Sequence, residues 1–145
     1  MPERKGMGME RSFEKQIASL EDGFTFLEQF FTQQEVLGKA RFALSVVVEE
    51  LFTNLVKYNA MGRNPITIRL NRVEDDISLE LVDRDVDAFD PSSLPPVDID
   101  APMAERQPGG LGLHLVRAIV DRISFDYHAR VMTITVHKKL ERDDV

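Results

Sequence analysis

Cysteine is absent from the 145-residue chain, which excludes a disulfide framework and any thiolate metal site. No apolar run approaches the ~20 residues of a membrane-spanning helix. The opening segment, MPERKGMGME, carries charges but no apolar stretch, so it does not read as a secretory signal and a cytoplasmic location is the expectation. Positive charge is scarce: 18 Lys and Arg stand against 25 Asp and Glu, for a net charge of −7. Binding nucleic acid through a basic face requires clustered Lys and Arg to meet phosphates. The one basic cluster, Lys138-Lys139 with Arg142, is offset by Glu141, Asp143 and Asp144. A protein partner is therefore favoured over DNA. The chain contains no internal repeat.

What is there is the balance of an ordinary globular protein, 43% hydrophobic and 30% charged. The length suits one domain with its own core. Residues 1–8 read as a flexible tail and 141–145 as a second, leaving a domain over 9–140. Within it, 9–18 alternates weakly, as a first strand would. Leu20, Phe24, Leu27, Phe30 and Phe31 follow helical spacing and predict a helix over 20–34. Gly38 interrupts that pattern, and a second helix runs over 39–60. Asn64-Pro65 signals a turn, after which 66–73 and 77–82 alternate around Asp75-Asp76 as a hairpin. No period survives from 83 to 108, a stretch with five prolines and six aspartates. A loop of that length in a compact domain is functional or disordered. A third helix over 111–122 follows, and 123–128 with 131–139 form a closing hairpin. This order predicts an α+β fold in two layers: a mixed, mostly antiparallel sheet covered on one face by three helices.

In the second helix, Ala40, Ala43, Leu44, Val47, Leu51, Leu55 and Tyr58 fall in one apolar stripe. Asn54 lies inside that stripe and Glu50 at its edge one turn earlier, so the two side chains are neighbours. Burying an amide and a carboxylate is costly unless partners satisfy them. Two readings are open. One is a core-edge asparagine bonded to backbone, with Glu50 in solvent; the other is a carboxylate base beside an oxygen ligand for Mg²⁺. Gly109-Gly110-Leu111-Gly112 precedes the third helix, where glycines let backbone N–H groups approach an anion closely. A hinge is the alternative. The run is not a Walker A loop, and Leu115 stands where a dinucleotide fingerprint would place its third glycine. Asp83 leaves a strand end in VDRDVDAFDP, either as a solvated acidic turn or as an acceptor for an exocyclic amine. His114, His128 and His137 show no metal spacing, and no Ser-His-Asp arrangement is supported.

These signals occur in a specific order. Glu50-Leu51-Phe52-Thr53-Asn54-Leu55-Val56-Lys57-Tyr58 resembles the N box of the GHKL ATPases, the group that includes gyrase and sensor histidine kinases. More narrowly, it resembles the Glu-x-x-Thr-Asn form of anti-sigma-factor serine kinases. Phe89-Asp90-Pro91 is similar to the segment that follows the adenine aspartate in those kinases. Asp100-Ala101-Pro102, Glu105-Arg106 and Gly109-Gly110-Leu111-Gly112-Leu113 are similar to their lid and second glycine box. The resemblance spans residues 9–140 and implies the Bergerat, or histidine-kinase-like, ATPase fold with a lid over 84–108. It implies ATP and Mg²⁺ as ligands, Glu50 as catalytic base and Asn54 as Mg²⁺ ligand, with Lys57 in the nucleotide site. Gly110, Leu111 and Gly112 would surround the phosphates, with Gly109 as a hinge and Arg106 on the γ-phosphate. The implied activity is phosphorylation of Ser or Thr on a STAS-domain anti-anti-sigma partner, in alternation with sequestration of a sigma factor. A homodimer is compatible with it; membrane or nucleic-acid contact is not implied.

The adenine site departs from the family pattern, which is Asp-x-Gly followed by Phe-Asp-Pro. Counting back from Phe89 puts Val86 in the glycine slot and Arg84 in the aspartate slot. Asp83 fits the aspartate role by strand position, with one extra loop residue, and Asp85 is the other candidate. Tyr58 stands where many relatives carry His. No phospho-accepting His helix is present, which disfavours a detached sensor-kinase domain. Two functions remain: the kinase, favoured by intact Glu50 and Asn54, and a non-catalytic partner-binding module of the same fold, favoured by Val86 and the displaced aspartate.

Overall fold

In the computed structural model, which describes residues 7–58, 64–87 and 110–141, the alternating segments are strands and the segments of helical period are helices. In chain order they are β1 (Met7–Phe13), α1 (Leu20–Gln34), α2 (Gly38–Tyr58), β2 (Ile66–Val73), β3 (Asp76–Arg84), α3 (Gly110–Ile119), β4 (Arg122–His128) and β5 (Val131–Lys139). The five strands form one sheet in the order β1-β2-β3-β5-β4. All pairings are antiparallel, so the sheet is purely antiparallel among the described residues rather than mixed. The chain leaves β3, passes through α3 to the far edge, and returns as β5 to fill the place beside β3. The α+β class, with three helices over one sheet, is the architecture observed.

Period-two alternation gives the sheet one dry face and one wet face. Leu70 on β2 lies opposite Leu79 on β3, which lies opposite Val136 on β5; all three are buried under the helices. Phe26, Leu27, Phe30 and Phe31 of α1, Leu44, Val47 and Leu51 of α2, and Leu113 and Val116 of α3 complete that core. On the other face Arg69 Nε donates to Glu10 at 2.6 Å, and Thr135 Oγ1 donates to Glu80 at 3.4 Å. The exposed Arg69–Glu10 ion pair contributes no more than about 1 kcal/mol, but both contacts keep that face polar. No helix among the described residues is long and apolar enough to cross a membrane.

β1 and α3 differ from the sequence expectation, and β3 runs two residues past the expected 82, to Arg84. β1 takes in Met7 and Gly8 and stops at Phe13, where 9–18 was expected; a 3-10 turn at Ile17–Ser19 leads into α1. Strand pairing ends there because Lys15 turns inward to a carboxylate on β3. α3 ends at Ile119, short of residue 122. Asp121 draws the chain away, its backbone N–H donating to the His137 carbonyl at 2.9 Å and its carboxylate accepting from the Lys139 N–H at 2.6 Å. Between α1 and α2, Glu35 (φ 55) and Gly38 (φ 64) take the left-handed conformation that ends one helix and redirects the chain into the next.

Phe30 is 0% exposed and its ring meets that of Phe31 edge-on, whereas Phe42 on α2 is 66% exposed. Phe30→Ala is expected to cost about 3–5 kcal/mol. Phe42→Ala should change stability by no more than about 0.5 kcal/mol. Urea denaturation midpoints check both; similar small losses for the two variants would contradict this placement of the core.

Candidate functional site

Helix α2 lays Ala40, Ala43, Leu44, Val47, Leu51 and Leu55 against the core, all buried; of Tyr58, the last member of the stripe, only the backbone lies within the description. Asn54 shares this surface at 2% exposure, and its Nδ2 has no hydrogen-bond partner among the described residues. An amide group buried without a partner costs about 1–3 kcal/mol, and native structures retain few of them. A half-turn about the last side-chain bond exchanges Nδ2 for Oδ1, so the same position can offer an oxygen. That fits Mg²⁺, which takes few protein oxygens and fills its shell with water and substrate phosphates. Among the described residues no group of three or more His, Cys, Asp or Glu is arranged to hold a metal. An ion beside Asn54 would therefore depend on oxygens brought by a ligand.

Glu50 lies one turn before Asn54 and is half-buried. Burial raises its carboxyl pKa above the ordinary 4.5; the negative Glu49 beside it raises it further and Lys57 lowers it. A carboxylate so placed accepts a proton more readily than one in water. Lys57 is exposed in the last turn of α2, where the helix carbonyls favour a cation. Its charge reaches the site by lowering the Glu50 pKa.

Strand β3 resolves where the aspartates point. Asp83 is in phase with Ile77, Leu79 and Leu81, on the helix-covered face and opposite Met132. It is 0% exposed, and its Oδ2 accepts from Lys15 Nζ at 2.8 Å; the Lys15 side chain is 4% exposed. Arg84, one residue on, faces the other way and donates from Nη1 to Thr67 Oγ1 at 2.7 Å. The residue that counting from Phe89 places in the aspartate slot thus lies on the wet face. Asp85 is exposed and accepts from Arg130 Nε at 3.0 Å, while Arg130 Nη1 donates to Asp87 at 3.0 Å.

Val86 does not strain this loop. The left-handed residue is Asp85, at φ 57, and aspartate tolerates that conformation better than most residues. Val86 itself is 2% exposed. Its N–H donates to the Arg130 carbonyl at 3.0 Å and its carbonyl accepts from Tyr127 Oη at 2.8 Å. No motif or spacing in the sequence marks Lys15, Tyr127 or Arg130.

Gly110 opens α3 and Gly112 sits in its first turn, where backbone N–H groups lack helical partners. Leu113 and Val116 fix that helix on the core. Leu111 is described by its backbone alone, and Arg106 and Gly109 lie outside the described residues. His114 and His128 are exposed, and His137 pairs with Asp76 at 3.2 Å.

The raised Glu50 carboxyl can be read directly. A carbon-13 NMR titration should place its midpoint above 4.5. Because Glu49 raises and Lys57 lowers it, Glu49→Gln should move the midpoint down and Lys57→Met should move it up. An unshifted midpoint, or shifts of the opposite sign, would contradict the burial and field assigned to this site.

A family model described as the histidine kinase-like ATPase domain matches residues 13–138. The serine-protein kinase RsbW of Halalkalibacterium halodurans is 28% identical over 106 residues, covering 70% of this chain and 64% of that protein. RsbW of Bacillus cereus is 31% identical over 109 residues, covering 70% and 66%. The chain thus spans just under two thirds of the length of these relatives. The serine/threonine-protein kinase BtrW of Bordetella bronchiseptica is 25% identical over 124 residues, covering 83% and 87%. Among solved structures, the RsbU and RsbW domains of a Mycobacterium tuberculosis protein superpose with a TM-score of 0.68 at 12% identity, covering 92% of this chain and 32% of that one. At that identity the superposition shows the fold alone. The antiparallel sheet under three helices and the matched span together establish that the chain belongs to the histidine kinase-like ATPase domain family and is homologous to the RsbW and BtrW serine-protein kinases.

Proposed function

We propose that this chain binds ATP with Mg²⁺ in the cytoplasm and phosphorylates a serine or threonine of a STAS-domain anti-anti-sigma factor. Alone or as a homodimer, it holds a sigma factor in alternation with that partner. The observation that carries this reading is the buried Asn54 amide, without a partner at Nδ2, one turn from a half-buried Glu50 whose proton affinity is raised. The names of the RsbW and BtrW relatives support the kinase class.

In this reading each residue has a role that its chemistry permits. Asn54 would hold Mg²⁺ through Oδ1. When bound, the ion neutralises charge on the phosphate oxygens. Backbone N–H groups of Gly110, Leu111 and Gly112 would take the phosphates, with Gly109 proposed as the hinge before them and Arg106 proposed for the γ-phosphate. Lys57 would act on this site through its charge, which lowers the Glu50 pKa. Asp83, on the helix-covered face, takes the adenine amine, while Asp85 serves the turn with Arg130. Glu50 accepts the proton of the attacking hydroxyl. That oxygen bonds to the γ-phosphorus as the bond to the β–γ bridging oxygen breaks, and the electron pair leaves with ADP.

A second reading is a non-catalytic partner-binding module of the same fold. The observation that favours it is the Lys15–Asp83 ion pair at 2.8 Å, which engages the aspartate proposed for adenine.

Substitution of the base separates the two readings. Glu50→Gln keeps shape but removes the proton acceptor, and should lower phosphoryl transfer by about 10²–10⁴-fold while leaving ATP and partner binding nearly intact. Asn54→Ala should weaken Mg²⁺-dependent ATP binding as well. The assay is transfer of labelled phosphate from ATP to a STAS-domain protein. A wild type that binds this partner tightly yet transfers nothing at any Mg²⁺ concentration would leave the binding module standing.

A further inference from the structure

We infer that Lys15 is a positioning residue that keeps Asp83 a pure hydrogen-bond acceptor and so sets the purine preference of the site. This deepens the proposed nucleotide site and rests on it. Asp83 is 0% exposed on the dry face of β3, in phase with Ile77, Leu79 and Leu81. Lys15 comes from the segment after β1, 68 residues away in sequence, and its Nζ lies 2.8 Å from Asp83 Oδ2 with the side chain 4% exposed.

Desolvation drives a buried carboxyl toward its protonated form, and an adjacent cation opposes that. The distinction decides what the group can bind. An ionised carboxylate only accepts; a protonated carboxyl both donates and accepts. At the same ring position adenine carries an amine, which donates, and guanine a carbonyl, which accepts. A carboxylate held ionised by Lys15 therefore takes adenine and repels guanine, whereas a neutral carboxyl can satisfy either base. A stabilising role alone explains the pair poorly, because well-packed apolar residues often replace buried ion pairs without loss.

Calorimetric titration of the full chain with Mg·ATP and Mg·GTP tests this. Wild type should prefer ATP by about 10- to 150-fold, the range of one hydrogen bond to a charged group. Lys15→Met should lose most of that preference, chiefly by gaining GTP affinity, and Lys15→Arg should restore it. A Lys15→Met variant that keeps the wild-type preference, or that weakens both nucleotides equally, overturns the inference. So does a wild type that binds ATP and GTP alike, although nucleotide binding then stands. A wild type that binds neither overturns the proposed function together with this inference. If Lys15→Met does not fold, the wild type still decides: the Asp83 carboxyl carbon, assigned by comparison with Asp83→Asn, should show the ionised chemical shift at pH 7. A protonated shift there contradicts the role given to Lys15.

Discussion

Helix α2 must cover the sheet and carry polar groups on the same surface, and these demands conflict. Over its 21 residues it buries a stripe of alanine, leucine and valine, yet Asn54 sits in that stripe at 2% exposure and Glu50 at its edge. Desolvation makes both positions costly to fill with polar residues. The same desolvation gives them chemical value. It leaves an amide group in want of a partner, and it raises the proton affinity of a carboxyl one turn away. The rest of the fold serves this arrangement. The purely antiparallel sheet supplies a dry face against which α2 can lie, α1 fills one flank with four buried residues from Phe26 to Phe31, and α3 brings a glycine-started N-terminus to the other.

The end of β3 follows the same logic with a different solution. Strand alternation sends Asp83 to the dry face and Arg84 to the wet one, so a shift of one residue in register exchanges a buried acceptor for a surface cation. Burial of Asp83 is met by the Lys15 ammonium. Beyond it, the chain is clamped to the β4–β5 turn by Val86, Tyr127 and Arg130. The clamp places the left-handed conformation at Asp85, which is why valine is tolerated in a slot where the family pattern has glycine.

Elements driven by local pattern were legible in the sequence. The alternation of 66–73 and the Leu20-to-Phe31 spacing found β2 and α1 because each element carries its own period. Asn54 was legible because a polar residue in an apolar stripe breaks a rule. Features that depend on distant partners left no such trace. β1 stops at Phe13 because Lys15 is drawn to Asp83, and α3 stops at Ile119 because Asp121 binds β5; neither contact has a periodic signature. Counting from Phe89 pointed to Arg84, and only the pleat of β3 shows that its side chain faces away from the helices.

The central claim is that the Asn54 amide is an open position for Mg²⁺ carried in with ATP. Nitrogen-15 NMR of the Asn54 side-chain NH₂ group tests it most directly. Addition of ATP with Mg²⁺ should shift this signal strongly, and ATP in the presence of a chelator should not. An Asn54 signal that stays in place while the protein is saturated with Mg·ATP would contradict the claim.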